Sequence, residues 1–246
     1  MLNLTGKRAL VTGGSRGIGA AIALALAENG ADVALTYQRS NERANAVVTS
    51  IEQLGRRAAA IQADSADPTA IRRSVDEAVR ALGGLDILVN NAAIALYDAI
   101  ADFKVQDIDA LLAVNVRGPV LATQAALPHL GAGSRVITIG SAGADRIVGS
   151  TGTVYYMTKA ALQSFTRGLA HELGPRDITA NLVQPGSTDT DMNPADGEFS
   201  NFQRGLIPLG RFGAPADVAA TVAFLASPAA RQITGTIVNV DGGLLA

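Results

Sequence analysis

The stretch VTGGSRGIGAAIA, residues 11–23, decides the fold class because it joins a short apolar run to a helical one through closely spaced glycines. Gly13, Gly17 and Gly19 have the spacing G-x-x-x-G-x-G. Glycine permits a tight turn and lets the backbone approach a phosphate, and the N-terminus of the next helix offers unpaired N–H groups. The order strand, loop, helix favours a dinucleotide site. The alternative is that the glycines serve the turn alone.

The same alternation of short apolar runs and helical segments continues along the whole chain. Strands are predicted at residues 8–12, 32–37, 58–63, 85–90, 135–140, 179–184 and 236–243, and helices at residues 18–30, 41–54, 68–82, 105–130, 153–174 and 214–226. Nearly continuous apolar strands separated by helices indicate a parallel sheet covered on both faces. The right-handed crossover rule then predicts one α/β domain, residues 1–246, with a doubly wound parallel sheet (Rossmann fold) and helices on both faces.

Two segments of this pattern are irregular. The helix at 105–130 contains Gly118-Pro119, and because proline removes a backbone donor and clashes with the preceding turn, a kink is expected there. A loop-rich stretch at 187–213 follows the sixth strand and is the expected substrate loop.

Composition excludes several classes of function. The chain has 246 residues, 48% of them hydrophobic, a formal net charge of -2 and no cysteine. Without thiols, and with His129 and His171 far apart, no disulfide framework and no metal site are expected. The absence of a basic face argues against a nucleic acid polymer as partner. No apolar run approaches the length of about 20 residues that spans a membrane, so no membrane partner is expected and a cytoplasmic location is the default.

The end of the second strand indicates which dinucleotide would bind. NAD-binding domains usually place a carboxylate there, but this strand ends in LTYQRS, without Asp or Glu. Arg39 and Arg16 could attract a 2′-phosphate, with Ser40 as a further donor. The sequence therefore favours NADP(H) over NAD(H). The alternative is that Arg39 is an ordinary solvated loop residue.

A tyrosine and a lysine one helical turn apart form the candidate catalytic pair. In TVYYMTKAAL, residues 153–162, Tyr155 lies four residues before Lys159 and would share its helix face, while Tyr156 would face elsewhere and pack. A nearby ammonium is expected to lower the pKa of the Tyr155 phenol from about 10 toward the working pH. Such a phenol could protonate a ketone oxygen or accept the proton of an alcohol.

With these motifs in this order, the chain resembles the short-chain dehydrogenase/reductase family over essentially its whole length. TGGSRGIG, NNAA, GSAG, the Tyr155–Lys159 pair and QPGSTDTDM match the family's motifs, with Ala93 where the family has glycine. The resemblance implies catalytic roles for four residues. Ser141 would hold the substrate oxygen near Tyr155, Lys159 would bind the nicotinamide ribose, and Asn115 would hold a water that relays protons. Ser141 could instead be a cap or turn residue, and Asn115 could merely satisfy carbonyls of the kinked helix.

The resemblance also implies a set of cofactor-binding residues, in which Asp64 contacts the adenine unless it only begins a turn, and Thr188 and Thr190 contact the carboxamide. Together with the catalytic Tyr155 and Lys159, the set comprises Gly13, Ser15, Arg16, Gly17, Ile18, Gly19, Tyr37, Arg39, Ser40, Asp64, Ser65, Asn91, Ala92, Pro185, Gly186, Thr188 and Thr190.

The sequence is less informative about substrate and partners. The substrate loop mixes apolar and small polar residues, which suits a lid over a moderately apolar carbonyl or alcohol. The 3-oxoacyl-thioester type of substrate is suggested by analogy alone. The aromatic residues of this loop could equally pack on the domain or on a neighbouring subunit. The alanine-rich helix at 154–173 and the C-terminus resemble surfaces through which the family forms homodimers and homotetramers. GSAGADRI and VQPGSTDTDMNPADG also resemble a subgroup proposed to bind cyclic di-GMP and promote biofilm dispersal, which is the alternative function.

Overall fold

The architecture is a seven-stranded parallel sheet with helices on both faces, in a computed structural model that describes residues 2–246. The strands are β1 (Arg8–Val11), β2 (Asp32–Tyr37), β3 (Ala58–Gln62), β4 (Ile87–Asn90), β5 (Arg135–Ile139), β6 (Thr179–Pro185) and β7 (Ile237–Val240). Their order across the sheet is β3-β2-β1-β4-β5-β6-β7. The predicted fold class is confirmed.

The register of the sheet brings the ends of β1 and β4 together. Leu10 of β1 is paired with Ala34 of β2 on one side and with Leu88 of β4 on the other. From β1 the chain builds the sheet in one direction as far as β3, then returns to add β4 on the opposite side of β1. In open α/β sheets, ligands bind outside the carboxyl ends of the strands at such a switch point.

The helices form two layers that each bury a separate core. They are α1 (Gly17–Glu28), α2 (Asn41–Gln53), α3 (Pro68–Leu82), α4 (Val105–Leu112), α5 (Gly118–Ala126), α6 (Thr153–Leu173), α7 (Ser200–Leu206) and α8 (Pro215–Ala226). On one face α1, α2 and α8 bury side chains such as Ile22, Ile51 and Val222. On the other face α3, α5 and α6 contribute residues such as Val75 and Leu169. Strands buried on both sides explain the nearly unbroken apolar runs in the sequence.

The ends of α3 follow the local signals in the sequence. Asp67 accepts a hydrogen bond from the Thr69 N–H at 2.8 Å, and Pro68 occupies the first helical position, where its missing donor costs nothing. Gly83 ends the helix in the left-handed conformation, with φ of 77°. These signals are local, which is why the sequence predicted this helix from its first to its last residue.

The expected kink takes the form of a π-helical turn that lies just before Gly118. Ala113–Arg117 forms this turn between α4 and α5, and the Gly118 N–H donates to the carbonyl of Ala113, five residues back. Pro119 has no N–H, so the carbonyl of Asn115, four residues earlier, cannot receive an α-helical hydrogen bond. The helix then ends at Ala126 and not at residue 130 as predicted.

Two other predictions of secondary structure need correction. The loop-rich stretch at 187–213 contains a short helix, α7, and the last strand is confined to Ile237–Val240 where 236–243 was expected. Gly242 and Gly243 have φ of 64° and 92°, which turns the chain out of the sheet. Within residues 2–246, no helix combines the length and the apolar character needed to cross a membrane.

Candidate active site

A cleft of about 1670 Å³ lies at the carboxyl ends of the strands, above the switch point between β1 and β4. Its walls include every residue predicted from the sequence to bind cofactor or act in catalysis, except Asn115. From widely separated parts of the chain the fold brings together Gly13, Ser15, Arg16, Gly17, Ile18, Gly19, Tyr37, Arg39, Ser40, Asp64, Ser65, Asn91, Ala92, Ser141, Tyr155, Lys159, Pro185, Gly186, Thr188 and Thr190.

The glycine loop is fixed by hydrogen bonds from neighbouring strands. The Asn91 amide donates to the carbonyl oxygens of Thr12 and Gly13 at 2.9 and 3.1 Å. The Gly13 N–H in turn donates to the hydroxyl of Thr36 at 3.0 Å. Because these partners come from the ends of β2 and β4, the loop is held in shape before any ligand arrives.

Two of the glycines are required by close contacts. A Cβ on Gly13 would lie 2.9 Å from Cα of Ala92, and φ at Gly13 is 66°. A Cβ on Gly19 would lie 2.3 Å from the carbonyl oxygen of Gly13. Side chains at either position would push the loop away from the cleft, so a structural demand for glycine and a ligand-binding role coincide here.

Three arginines surround the end of β2, a strand that does not end in Asp or Glu. Arg39 lies two residues beyond the strand and forms no ion pair within residues 2–246. Arg16 and Arg43 also line the cleft, and both pair with Asp191, at 3.3 and 2.5 Å. The Arg43 hydrogen bond, followed by that of Arg16, lowers the pKa of the exposed Asp191 carboxyl. This end of the cleft is therefore suited to a dianionic phosphate group.

Tyr155 and Lys159 lie one turn apart on α6, as predicted, and both are buried. The Lys159 ammonium lies 6.0 Å from the centroid of the Tyr155 ring. Its Nζ donates a hydrogen bond to the main-chain carbonyl of Ile139, at the end of β5, at 3.1 Å. The lysine is thereby held at the base of the cleft, below the tyrosine.

The expected lowering of the tyrosine pKa is wrong for the protein chain by itself. Burial raises the pKa of Tyr155 to about 12, and the neighbouring Ser141 hydroxyl offsets this only in part. Burial also lowers the pKa of Lys159 to about 8. Desolvation disfavours the charged form of each group and is the largest cause of both shifts.

Ser141 and Tyr156 complete the wall around Tyr155. Ser141 accepts a hydrogen bond from the Gly143 N–H at 3.1 Å, so it caps a short turn after β5 and also borders Tyr155. The Tyr156 hydroxyl donates to the carbonyl of Val148 at 3.0 Å, and its ring packs edge-on against Tyr155 with centroids 5.4 Å apart. Tyr156 thus packs as expected, although its ring also touches the cleft.

Asn115 lies behind the cleft and not in its wall. Its Oδ1 accepts from the Ile94 N–H at 2.9 Å, and its Nδ2 donates to the Ile94 carbonyl at 2.9 Å and to the Thr158 hydroxyl at 3.1 Å. The amide therefore bonds to both main-chain groups of Ile94 and to Thr158, and makes no hydrogen bond to the kinked helix itself. The main-chain carbonyl of Asn115 receives no α-helical hydrogen bond, because Pro119, four residues later, has no N–H.

The segment after β6 closes the other side of the cleft. Thr188 donates to the carbonyl of Gly186 at 3.1 Å, and a Cβ on Gly17 would lie 3.4 Å from Thr190 Cγ2. The glycine loop and this segment are thus in direct contact. The segment leads into α7, where the exposed side chains of Phe199 and Phe202 line the cleft.

Two smaller predictions also have structural answers. The Asp64 carboxylate accepts from the Ala66 N–H at 2.8 Å, so it does form the turn considered as its alternative role, while still lining the cleft. Ala93 stands where the family motif has glycine, and its φ is not in the left-handed region. Within residues 2–246, Asp177 is the one non-glycine residue with a positive φ. The backbone at this position therefore accepts alanine without strain.

Comparison with known proteins identifies the family. The family model described as "Enoyl-(Acyl carrier protein) reductase" matches residues 13–245. A short chain dehydrogenase from Burkholderia cenocepacia J2315, solved in complex with NADP, is 57% identical, with a TM-score of 0.98 over 99% of this chain and 100% of that one. The chain belongs to the short-chain dehydrogenase/reductase family. The predicted resemblance is confirmed.

Two further relatives of this short-chain dehydrogenase/reductase bear different names. The cyclic-di-GMP-binding biofilm dispersal mediator protein of Escherichia coli K12 is 41% identical over 97% of both chains. The 3-oxoacyl acyl-carrier-protein reductase FabG of Staphylococcus aureus is also 41% identical, over 97% of this chain and 98% of the relative. Among solved structures, BdcA in complex with NADPH is 40% identical, with a TM-score of 0.90 over 97% of this chain.

Three cleft residues of this short-chain dehydrogenase/reductase were missed in the sequence. Arg43 and Asp191 are paired across 148 residues, and neither belongs to a local motif. Tyr97, in the loop after β4, places its ring 5.4 Å from that of Tyr155 and 6.3 Å from that of Tyr156. Tyr97 is 55% exposed, and an exposed aromatic residue in a loop is the one signal that could have singled it out.

Proposed function

We propose that the protein is an NADP(H)-dependent oxidoreductase that transfers a hydride between the nicotinamide and a ketone or secondary alcohol. Tyr155 is the general acid and base. The observation that carries the proposal is the position of Tyr155, which shares one cleft with a preshaped glycine loop and three arginines. Geometry of this kind, together with family membership, is specific for dinucleotide-dependent chemistry.

The residues of the cleft fit NADP(H). The glycine loop lets the backbone approach a pyrophosphate, since Gly13 and Gly19 leave no room for side chains. Arg16, Arg39 and Arg43 would hold the 2′-phosphate. Thr188 and Thr190, which line the cleft after β6, would hold the carboxamide. The NADP and NADPH bound in solved relatives support this assignment.

The reaction needs one hydride and one proton. The bound cofactor supplies or accepts the hydride at the substrate carbon. In reduction, Tyr155 gives its hydroxyl proton to the carbonyl oxygen, while Ser141 holds that oxygen by a hydrogen bond. Lys159, held by the Ile139 carbonyl, would favour the phenolate once the proton has left and would bind the ribose. A proton relay through Asn115 would run through its main-chain carbonyl, because its amide is fully bonded.

The raised pKa of Tyr155 sets the resting form of the phenol in the protein chain by itself. With a pKa of about 12 the phenol remains protonated at neutral pH, which is the form that can give a proton to a carbonyl oxygen. Oxidation of an alcohol would instead use the phenolate form.

The substrate end of the cleft suits a moderately apolar carbonyl compound. Four exposed side chains line the cleft. Tyr97 lies beside Tyr155, and Met192, Phe199 and Phe202 belong to the substrate loop at residues 187–213, which we call the lid. Exposed apolar side chains concentrated around one cleft indicate that a ligand covers them. A 3-oxoacyl thioester is one candidate, and the Staphylococcus relative supports it by name.

The decisive experiment is a screen of NADPH oxidation against ketones, acyl thioesters, imines and quinones, with NADH in parallel. We expect turnover with at least one ketone or 3-oxoacyl thioester, and a preference for NADPH. If NADPH saturates the protein but no carbonyl compound is reduced, the catalytic part of the proposal fails. If NADPH does not bind, the whole proposal fails.

We also propose that the protein is a homodimer or homotetramer. β7 is an edge strand with one neighbour, β6, and it is only partly covered. Such an edge is normally protected by another element or by a second copy of the chain. Light scattering coupled to size-exclusion chromatography should give a mass of two or four times 25.1 kDa. A monodisperse 25.1 kDa species would refute self-association.

The alternative function is cyclic di-GMP binding in biofilm dispersal. The Escherichia coli relative supports it by its name, and the three arginines could hold the two phosphates of that ligand. A pair of binding titrations, one with NADPH and one with cyclic di-GMP, distinguishes the two functions. Tight binding of cyclic di-GMP with no affinity for NADPH would favour the alternative over the reductase.

A further inference from the structure

Asp191 links the lid of the cleft to its phosphate-binding end. Its Oδ2 accepts from Nη1 of Arg16, at the start of α1, and from Nη1 of Arg43, in the first turn of α2. Asp191 itself lies in the segment after β6 that leads to α7. One carboxylate thus joins three parts of the chain that are distant in sequence.

The two arginines bound by Asp191 belong to the same group as Arg39. All three line one end of the cleft, and Arg39 makes no ion pair within residues 2–246. A phosphate monoester carries roughly -1.5 to -2 charges at neutral pH. A phosphate on these arginines would lie beside the carboxylate and be repelled by it, and both anions would need the same N–H donors.

We propose that Asp191 is an intramolecular competitor of the 2′-phosphate of NADP(H), and that it sets the preference between NADP(H) and NAD(H). This inference rests on the proposed function, because it requires the cleft to bind these nucleotides. NADP(H) displaces the carboxylate from Arg16 or Arg43. NAD(H) has no 2′-phosphate and leaves both ion pairs intact.

Displacement of Asp191 reaches the lid through short contacts. Thr190 and Asn193, on either side of it, form an isolated β-bridge, and the Asp189 carboxylate accepts from the Ala195 N–H at 2.9 Å. Met192, the next residue, lines the substrate end of the cleft. A phosphate that takes these arginine donors from Asp191 would therefore act on a residue held within a hydrogen-bonded part of the lid.

The expected effect is modest because the ion pairs are exposed. Side chains of Arg16, Arg43 and Asp191 are 53%, 59% and 52% exposed. Exposed ion pairs are weak and are screened by salt. Removing the Asp191 charge should therefore tighten NADPH binding by about threefold to tenfold at low salt, with little change for NADH.

The test is a fluorescence titration of NADPH and NADH against the full-length protein and two matched variants. Asp191→Asn removes the competing charge, whereas Asp196→Asn makes the same change at an exposed lid position without an arginine partner. We expect tighter NADPH binding in Asp191→Asn alone, unchanged NADH binding in both variants, and a smaller gain at high salt. In an Arg43→Gln background, Asp191→Asn should increase NADPH affinity by a smaller factor, because one of the two ion pairs is already absent.

The outcomes separate this inference from the function on which it rests. Failure of the wild-type protein to bind NADPH would refute the proposed function. Normal wild-type binding, with NADPH affinity unchanged or weakened in Asp191→Asn, would refute the competitor alone. The competitor would also be refuted if Asp196→Asn increased NADPH affinity by the same factor, or if the increase caused by Asp191→Asn were undiminished in the Arg43→Gln background. Either result would assign the effect to the general charge of the protein.

Discussion

Lys159 donates a hydrogen bond from its ammonium to the main-chain carbonyl of Ile139 at 3.1 Å, in the buried base of the cleft. A single neutral acceptor replaces the hydration that this charge would have in water. The fold therefore holds a cation at a cost in stability, which is common where a side chain is retained for catalysis.

Replacing Lys159 by methionine should raise stability at neutral pH and abolish turnover. The pKa of Lys159 falls from 10.5 to about 8 on folding, so the folded state disfavours the ammonium. The cost is full below pH 8 and disappears as the pH rises past 10.5. We expect a gain of about 1–2 kcal/mol at pH 7, from roughly 3 kcal/mol of relieved desolvation less about 1 kcal/mol for the lost hydrogen bond.

Urea denaturation at pH 7 and near pH 10.5, the ordinary pKa of lysine, checks this prediction. The difference between Lys159→Met and wild type should shrink at the higher pH. Lys104→Met, at an exposed position, is the control and should change stability little at either pH. A variant at position 159 that is less stable than wild type at pH 7 would contradict the prediction.

Tyr155→Phe should remove nearly all turnover while leaving cofactor affinity almost unchanged. The variant keeps the ring that packs against Tyr97 and Tyr156 but loses the proton donor. A positioned general acid contributes about 10²–10⁴-fold to the rate, so kcat should fall by at least about a hundredfold. Steady-state kinetics and an NADPH titration measure the two quantities.

The control for this change is Tyr156→Phe, which loses only a hydrogen bond to the carbonyl of Val148. Its kcat should stay within a few-fold of wild type. If Tyr156→Phe were the damaging change and Tyr155→Phe were tolerated, the assignment of the acid along α6 would be wrong.

Arg39→Asp should convert the nucleotide preference. Arg39 has no ion-pair partner among residues 2–246, so its removal breaks no internal contact, and the new carboxylate would repel a 2′-phosphate while offering acceptors to ribose hydroxyls. We expect NADPH affinity to fall by more than about tenfold and NADH affinity to rise. Parallel titrations with both nucleotides measure this, and an unchanged ratio would show that Arg39 is a solvated loop residue.

Gly19→Ala should disrupt the glycine loop. The added methyl would lie 2.3 Å from the Gly13 carbonyl oxygen and 2.5 Å from Asn91 Nδ2, so the loop and the amide that fixes it must both move. NADPH binding should be lost and stability should fall by about 1–3 kcal/mol, as is usual for overpacking. Gly131→Ala has open space around the new methyl and is the matched control. Normal NADPH binding by Gly19→Ala would contradict the prediction.

The sequence was sufficient for the sheet and most of the cleft because those signals are local. Each strand is a short apolar run, and the glycines of the loop stand where close contacts exclude side chains. Helical spacing predicts that Tyr155 and Lys159 share one face of α6, and the motifs around them give the pair its interpretation. Such patterns can be recognised within about ten residues of chain.

The remaining features depend on contacts between distant parts of the chain. The Asp191 ion pairs connect α1, α2 and the lid, and no spacing rule links these segments. The pKa of Tyr155 was mispredicted for the same reason, since the sequence places an ammonium nearby but does not reveal how completely both groups are desolvated. The sequence placed Asn115 at the irregular part of its helix but could not show that its amide bonds to the main chain of Ile94, in another loop, behind the cleft.

The five-residue turn at Ala113–Arg117 also keeps α4 and α5 in phase. A π-helical turn accommodates one extra residue as a bulge, so the helices on either side keep nearly the relative rotation of a continuous α-helix. Deleting that residue would restore regular winding and leave Leu111, now fully buried, in its core. The deletion would instead remove the bulge that carries Asn115, and the two hydrogen bonds between its amide and the main chain of Ile94 would be lost. Chain length at this point is therefore as strictly constrained as residue identity.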